Sequence, residues 1–277
     1  MPSTTVTTNG QSVELHFTDT GQGRPVVLIH GWPLSGASWS EQVGPLVEAG
    51  HRVIAYDRRG FGASGKDATS YDYDALAGDL DGLLNALDLN DVSLVGFSMG
   101  GGEVARYLST HGQSRVRSAV FSSAVPPYLY KSQDNPEGGL DDATIASFED
   151  GVKGDRAAFI KQFVEDFTSA GDRHDLVSDA DKATMAEMAM QASPEATLVC
   201  IASFGRTDFR ADLEKITIPT LVIHGDQDAI VPFVVSGERT ARDVKGAELH
   251  VVEGGPHGIN ASHVEEFNRV LIAFLAR

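Results

Sequence analysis

Six short apolar runs divide the chain, and helical patterns lie between several of them. The runs cover residues 26–29, 52–56, 92–95, 116–121, 220–223 and 249–252. A continuous apolar run of this length is typical of a parallel strand that is buried on both faces. Before the first run, Val13, Leu15 and Phe17 alternate with polar residues, and the preceding Asn9-Gly10 pair indicates a hairpin turn.

Helical periodicity predicts the elements that connect these strands. Five leucines between positions 76 and 87 follow one another at spacings of four, three, one and three, which places them on one helical face. Near the end of the chain, Val264, Phe267, Leu271 and Phe274 form another such face. Strands that alternate with helices predict an α/β fold with a mostly parallel, doubly wound sheet.

Residues 126–212 break this alternation because they contain no convincing strand. Phe159, Phe163 and Phe167 recur at helical spacing, and Met185 with Met188 indicates a further amphipathic helix. We therefore expect a core made of residues 1–125 and 213–277, interrupted by a helical cap at 126–212. An insertion at the carboxyl edge of a parallel sheet lies where α/β proteins bind ligands.

The composition limits the classes of partner. With 22 basic and 39 acidic residues the net charge is −17, which repels phosphate backbones and anionic membranes, so we expect neither as a partner. No segment approaches the roughly 20 apolar residues of a membrane span. The first ten residues lack the basic-then-apolar pattern of an export signal, so we expect a soluble, cytoplasmic protein. Cys200 is the only cysteine, which excludes an intrachain disulfide and a cysteine-rich metal site.

The segment Gly96-Phe97-Ser98-Met99-Gly100 carries the strongest chemical signal. It follows the apolar run 92–95 and precedes a helix-compatible segment at 103–108, as a Gly-x-Ser-x-Gly nucleophile elbow requires. The serine of an elbow occupies a tight turn, so the residues two positions away must lack side chains. The alternative is a glycine-rich turn that carries an incidental serine.

Residues that can activate Ser98 follow the last two strands. Asp226 and Asp228 come directly after the run 220–223, and His257 lies in a Gly/Pro-rich loop after the final strand. A serine nucleophile needs a base for its proton, and that base needs an orienting carboxylate. The chain order serine, acid, histidine is that of α/β hydrolases. We predict Asp228 as the acid, and Asp226, which is nearer the strand, as the residue that caps the turn.

An acyl-transfer site also needs hydrogen-bond donors for the oxyanion. The backbone N–H of Met99, which follows the nucleophile, is the first predicted donor. The second is expected in His30-Gly31-Trp32-Pro33, where Pro33 has no N–H and Trp32 is therefore preferred. We expect His30 to hold this loop. The other histidines considered are interpreted as surface or helix-end residues, and none shows the His-Glu-x-x-His spacing of a metal site. They are His16, His51, His111, His174, His250 and His263.

At these positions the chain resembles the cofactor-free bacterial haloperoxidase/perhydrolase group of α/β hydrolases, which also contains arylesterases and a γ-lactamase. The segments that carry the resemblance are 27–33, 56–62, 95–103, 207–210, 224–228 and 256–258. The resemblance implies Ser98 as nucleophile, Asp228 as acid, His257 as base, and the amides of Trp32 and Met99 as oxyanion donors. It also implies ester hydrolysis, peracid formation from a carboxylic acid and hydrogen peroxide without haem or metal, and assembly into homo-oligomers.

We therefore expect a serine esterase that acts on small carboxylic esters through an acyl-enzyme, with perhydrolase activity of the haloperoxidase type. An amidase that opens a γ-lactam with the same triad is the alternative within enzymes. A non-catalytic binding protein of the same fold predicts the loss of a triad member, and all three candidates are present. A dehalogenase needs an aspartate in place of Ser98.

Overall fold

A computed structural model describes residues 2–277 and has an eight-stranded sheet at its centre. The strands are β1 (Ser3–Thr8), β2 (Gln11–Gly21), β3 (Arg24–Ile29), β4 (His51–Tyr56), β5 (Val92–Phe97), β6 (Val116–Ser122), β7 (Thr220–Gly225) and β8 (Glu248–Val252). Their order is β1-β2-β4-β3-β5-β6-β7-β8. Only the pairings of β2 are antiparallel, so the predicted mostly parallel sheet is confirmed.

The helices connect these strands over both faces of the sheet. They are α1 (Ser40–Glu48), α2 (Tyr73–Ala86), α3 (Met99–Thr110), α4 (Asp142–Lys153), α5 (Arg156–Thr168), α6 (Asp179–Met190), α7 (Pro194–Arg206), α8 (Arg210–Leu213), α9 (Gly237–Asp243), α10 (Ile259–Ser262) and α11 (Val264–Leu275). The chain moves one way along the sheet from β3 to β4 and the other way from β4 to β6. Because such crossovers are right-handed, α1 lies on the face opposite α2 and α3.

The first hairpin forms where the sequence predicts it. Asn9 and Gly10 adopt positive φ angles of 52° and 77°, which a two-residue type I′ turn requires. The turn sets the register of β1 and β2, and it places Val13, Leu15 and Phe17 on the buried side of β2.

Helices alone fill most of the interval between β6 and β7. Each of α4, α5, α6 and α7 begins after a side chain that accepts a hydrogen bond from the backbone three residues later. These N-caps are Asp141, Asp155, Ser178 and Ser193. Such a cap satisfies an N–H that the first helical turn leaves unpaired, so the local sequence itself starts each helix. No helix within residues 2–277 has the length and apolar character to cross a membrane.

Candidate active site

Ser98 occupies the sharp turn between β5 and α3. Its backbone has φ 54° and ψ −120°, a conformation that residues other than glycine rarely adopt. The glycines on either side make room for this turn. A Cβ on Gly96 would lie 2.5 Å from the carbonyl oxygen of Gly100, and one on Gly100 would lie 2.5 Å from that of Ile29. The strand–turn–helix context predicted for this segment is confirmed.

The structure brings Ser98, His257 and Asp228 together from the loops after β5, β8 and β7. His257 Nε2 lies 2.9 Å from Ser98 Oγ, and His257 Nδ1 lies 2.7 Å from Asp228 Oδ2. All three side chains are buried. Because an ionised carboxylate only accepts hydrogen bonds, Nδ1 carries the ring proton and Nε2 is free to take the proton of the serine hydroxyl.

The two aspartates after β7 have different partners, and one prediction about them is wrong. Asp228 Oδ1 accepts hydrogen bonds from the N–H groups of Ile230 (3.0 Å) and Val231 (2.7 Å), so Asp228 itself caps the turn. Asp226 Oδ1 instead accepts from the N–H of Gly254, 2.7 Å away in the loop after β8. Asp228 can both cap this turn and contact His257 because its two oxygens point in different directions.

The contacts of Asp228 keep its carboxyl group ionised. Burial by itself raises the pKa of this group, because the charged form loses its water. The charge of His257 and the contacts with His224 and His257 outweigh that effect and lower the pKa to about 2. The carboxylate is therefore negative at any pH near neutrality.

His224 is a contact of this site that the sequence analysis missed. Its imidazole is fully buried, with Nε2 2.8 Å from the carbonyl oxygen of Val231 and 3.1 Å from Asp228 Oδ2. The available signal was a histidine at the end of an otherwise apolar strand, four residues before the acid.

The two predicted oxyanion donors belong to segments that adjoin the nucleophile. Met99 directly follows Ser98, and Gly31 brings the loop of Trp32 against the elbow. A Cβ on Gly31 would lie 2.7 Å from the Phe97 ring and 3.0 Å from Ser98 Cβ. Within residues 2–277, the backbone N–H groups of Trp32 and Met99 donate to no other protein group. Both amides are thus available for a ligand oxygen.

A buried polar network fixes the Trp32 loop. His30 Nδ1 lies 2.8 Å from the Gly31 carbonyl oxygen, and His30 Nε2 accepts from the Arg58 N–H at 3.0 Å. Arg58 also pairs with Glu103 of α3 at 2.8 Å, which ties the loop to the elbow helix. Burial and the Arg58 charge hold the pKa of His30 well below its usual range, so the ring stays neutral and can accept. The expectation that His30 holds this loop is confirmed.

The remaining histidines include one wrong interpretation. His51 was expected to be a surface or helix-end residue, but it is the first residue of β4 and only 5% exposed. Among residues 2–277, no group of three or more His, Cys, Asp or Glu side chains is placed to hold a metal ion.

A small apolar cavity opens at Ser98. The space not filled by protein atoms is about 350 Å³, which includes open solvent at the mouth. Its walls are Trp32, Val125, Leu129, Leu140, Phe148, Phe163, Phe204, Ile230 and Val231. The insertion at 126–212 supplies five of these nine residues, so residues between β6 and β7 determine much of the shape of the space beside the serine hydroxyl.

Comparison with known proteins agrees with this fold and site. A family model described as alpha/beta hydrolase fold matches residues 24–264. The non-heme chloroperoxidase CPO-A1 of Kitasatospora aureofaciens is 46% identical, with 98% of each chain covered. The bifunctional esterase/perhydrolase DCH of Acinetobacter calcoaceticus is 33% identical and covers 97% of this chain and 98% of its own. The crystal structure of a bromoperoxidase from Bacillus anthracis is 54% identical, covers both chains completely and has a TM-score of 0.96.

The chain therefore belongs to the α/β-hydrolase family, whose sheet and nucleophile elbow it has. Within that family its place is with the non-heme haloperoxidases and perhydrolase-esterases, as the resemblance of its motifs implied.

Proposed function

We propose that the protein is a serine esterase that cleaves small carboxylic esters through an acyl-enzyme on Ser98, with perhydrolase activity of the haloperoxidase type. The observation that carries the proposal is the 2.9 Å contact between His257 Nε2 and Ser98 Oγ, with Asp228 on the other ring nitrogen. Relatives named as chloroperoxidases and as an esterase/perhydrolase support it.

In the first half of the reaction, Ser98 Oγ attacks the ester carbonyl and His257 Nε2 takes its proton. The imidazolium that forms is stabilised by the Asp228 carboxylate on the opposite side of the ring. The negative charge that develops on the carbonyl oxygen receives hydrogen bonds from the amides of Trp32 and Met99. The loss of one such donor typically costs about 3 kcal/mol of transition-state stabilisation.

The first half ends when His257 returns the proton to the leaving alkoxide, and the acyl group stays on Ser98. In the second half, water gives its proton to His257 and attacks the acyl carbonyl. The acid is released as His257 returns this proton to Ser98 Oγ. When hydrogen peroxide replaces water, the product is a peracid. Starting from a carboxylic acid, the balance is acid plus hydrogen peroxide to peracid plus water, with the peroxide O–O bond kept intact.

The cavity and its cover indicate the substrate class. The space beside Ser98 is small and lined almost entirely by apolar side chains, which fit a short, uncharged acyl group. The proposed cap consists of residues 126–212 and the core of residues 1–125 and 213–277. Because most of the cavity walls belong to the cap, the cap determines which acyl groups fit beside Ser98. The partners of the protein are then a small ester, or a carboxylic acid together with peroxide.

A substrate panel tests this function. Wild-type protein is expected to hydrolyse p-nitrophenyl acetate and to make peracetic acid from acetate and hydrogen peroxide, and Ser98→Ala is expected to lose both activities. Ser122→Ala is the matched control, because the buried Ser122 hydroxyl has no hydrogen-bond partner within residues 2–277. Turnover retained by Ser98→Ala, or a γ-lactam cleaved in preference to every ester, would contradict the proposal.

A further inference from the structure

His224 is the fifth residue of β7, and its side chain contacts the loop that carries Asp228. Its Nε2 is close to two oxygens, the Val231 carbonyl oxygen at 2.8 Å and Asp228 Oδ2 at 3.1 Å. Because a carbonyl oxygen only accepts hydrogen bonds, Nε2 carries the ring proton. One N–H therefore serves the backbone of the loop and also faces the carboxylate oxygen that contacts His257.

The backbone of Val231 contacts the side chains of both His224 and Asp228. Its N–H donates to Asp228 Oδ1 at 2.7 Å, and its carbonyl oxygen accepts from His224. The Asp228 carboxylate is thus held on every side: Oδ1 by the amides of Ile230 and Val231, and Oδ2 by His257 and His224. A change at His224 reaches Asp228 directly and through the backbone of the loop.

The protein leaves the His224 ring little room to move. The ring of Phe233 lies on one side, with its centroid 5.7 Å away. On another side, a Cβ added to Gly237, the first residue of α9, would lie 2.5 Å from His224 Nδ1. Nδ1 has no hydrogen-bond partner within residues 2–277. Within residues 2–277, the polar contacts of the His224 ring are therefore those of Nε2.

Among residues 2–277, Asp228 is the one charged side chain that contacts the His224 ring. His257, from the loop after β8, acts through Asp228. On α9, Arg239 donates to the side-chain oxygen of Asn135 at 2.8 Å and to a backbone carbonyl. On β8, His250 pairs with Glu266 of α11 at 2.8 Å. The neighbouring end of β6 carries serines, which do not titrate near neutrality.

We propose that His224 is a positioning residue for the catalytic acid: its Nε2–H fixes the Asp228 carboxylate against His257 and takes up part of its negative charge. The inference rests on the proposed function, because it requires that Asp228 orients His257. An acid that shares its charge with a second donor stabilises the His257 imidazolium less. The His257 ring then stays able to accept the serine proton down to a lower pH than it would without the His224 contact.

Two amide variants at position 224 separate this role from simple packing. The amide nitrogen of His224→Gln reaches about as far as Nε2 of histidine, whereas that of His224→Asn ends near the position of Nδ1. We expect the acid limb of the kcat/KM profile for p-nitrophenyl acetate to move to higher pH by about half a unit or more in His224→Asn, since a hydrogen bond to a charged group is lost. In His224→Gln the limb should return to the wild-type position. The loss in His224→Asn should appear in kcat, with KM little changed.

Gly237→Ala is a second route to the same result that leaves the identities of His224, His257 and Asp228 unchanged. Its added methyl group displaces the His224 ring, so the acid limb should again move to higher pH. This variant also keeps the inference testable if the substitutions at 224 prevent folding, which circular dichroism and the melting temperature detect.

An acid limb that stays in place in His224→Asn and Gly237→Ala, or one that moves equally in His224→Gln, would assign His224 a packing role only. A limb that moves to lower pH would show that Asp228 had released His257, and it would overturn the charge sharing. Failure of the proposed function is distinguishable, because Ser98→Ala then keeps its activity whatever the profile of the His224 variants.

Discussion

At the scale of single residues, Asp228 does two things with its two oxygens. Oδ1 accepts from the amides of Ile230 and Val231 and shapes the loop, while Oδ2 contacts the imidazole of His257. An asparagine retains one oxygen for the backbone amides. It then presents an NH₂ group to His257 Nδ1, which favours the wrong tautomer of the ring.

We therefore expect Asp228→Asn to fold and to lose about 10⁴-fold in kcat for p-nitrophenyl acetate, the loss typical of a triad acid. Asp226→Asn is the matched control two residues earlier. Within residues 2–277 the Asp226 carboxylate accepts a hydrogen bond from the Gly254 amide alone, so kcat of Asp226→Asn should stay within about tenfold of wild type, as expected for one hydrogen bond. Steady-state kinetics measure kcat of both variants, and equal losses would show that Asp228 is not the triad acid.

His30 predicts a specific pH dependence of stability. Its pKa is held well below its usual range by burial and by Arg58, whereas the unfolded chain protonates this residue normally. The unfolded state then binds the extra proton, so the His30 contribution is present above the unfolded pKa and is lost as pH falls below it. His30→Gln keeps a side-chain acceptor for the Arg58 N–H but cannot take up a proton in this range.

The free energy of unfolding of wild type should therefore fall relative to His30→Gln by about 1.4 kcal/mol per pH unit below about pH 6.5. Urea titrations at several pH values between neutrality and the acid range measure this difference. A gap between the two proteins that does not change with pH would show that His30 takes up its proton over the same pH range in the folded and the unfolded chain.

At the scale of secondary structure, local periodicity predicted β2 to β8 and the helices α2, α5, α6 and α11, because each has its own apolar pattern, whereas α1, α4 and α7 were not predicted. The nucleophile elbow was equally visible, since Gly96 and Gly100 flank Ser98 in the sequence itself. What could not be predicted depends on contacts between distant loops. Asp226 finds its partner at Gly254, and His224 meets Asp228 through the conformation of the intervening loop. No periodicity within a strand or a helix encodes either contact.

The oxyanion loop and the helical insertion are joined by one side chain. Trp32 Nε1 donates to the carbonyl oxygen of Thr197 in α7 at 2.9 Å, and its ring packs among phenylalanines of the insertion. The same residue supplies one of the proposed oxyanion amides. The position of that amide therefore depends on α7 as well as on β3.

We expect Trp32→Phe to lower kcat for p-nitrophenyl acetate about tenfold, the effect of losing about one hydrogen bond's worth of positioning energy. KM should change little, because the ring remains apolar. Trp39→Phe is the control, since the buried Nε1 of Trp39 has no partner within residues 2–277 and its removal costs no hydrogen bond. Similar losses in both variants would contradict a link between α7 and the oxyanion loop.

At the scale of the whole molecule, the sheet brings together residues that are far apart in the sequence. The loops after β5, β7 and β8 meet at one edge, and the insertion after β6 closes the cavity above them. The surface around this site is part of a chain with a net charge of −17. Assembly into homo-oligomers stays a prediction from the family resemblance.

The net charge predicts a difference between neutral and anionic substrates. An ester that carries a carboxylate is repelled as it approaches, and salt screens this repulsion. Its kcat/KM should therefore rise severalfold between about 0.01 M and about 0.5 M salt, while that of neutral p-nitrophenyl acetate stays constant. A parallel response of the two esters would indicate a salt effect on the enzyme rather than on the encounter.

The site of acylation tests the central claim most directly. Wild-type protein is mixed with p-nitrophenyl acetate, quenched during turnover and digested, and the peptides are analysed by mass spectrometry. The mechanism predicts one acetyl group on Ser98, absent from Ser98→Ala and removed by hydrogen peroxide as peracetic acid forms. Turnover without acetylated Ser98, or acetylation at another residue with kinetics that match turnover, would contradict it.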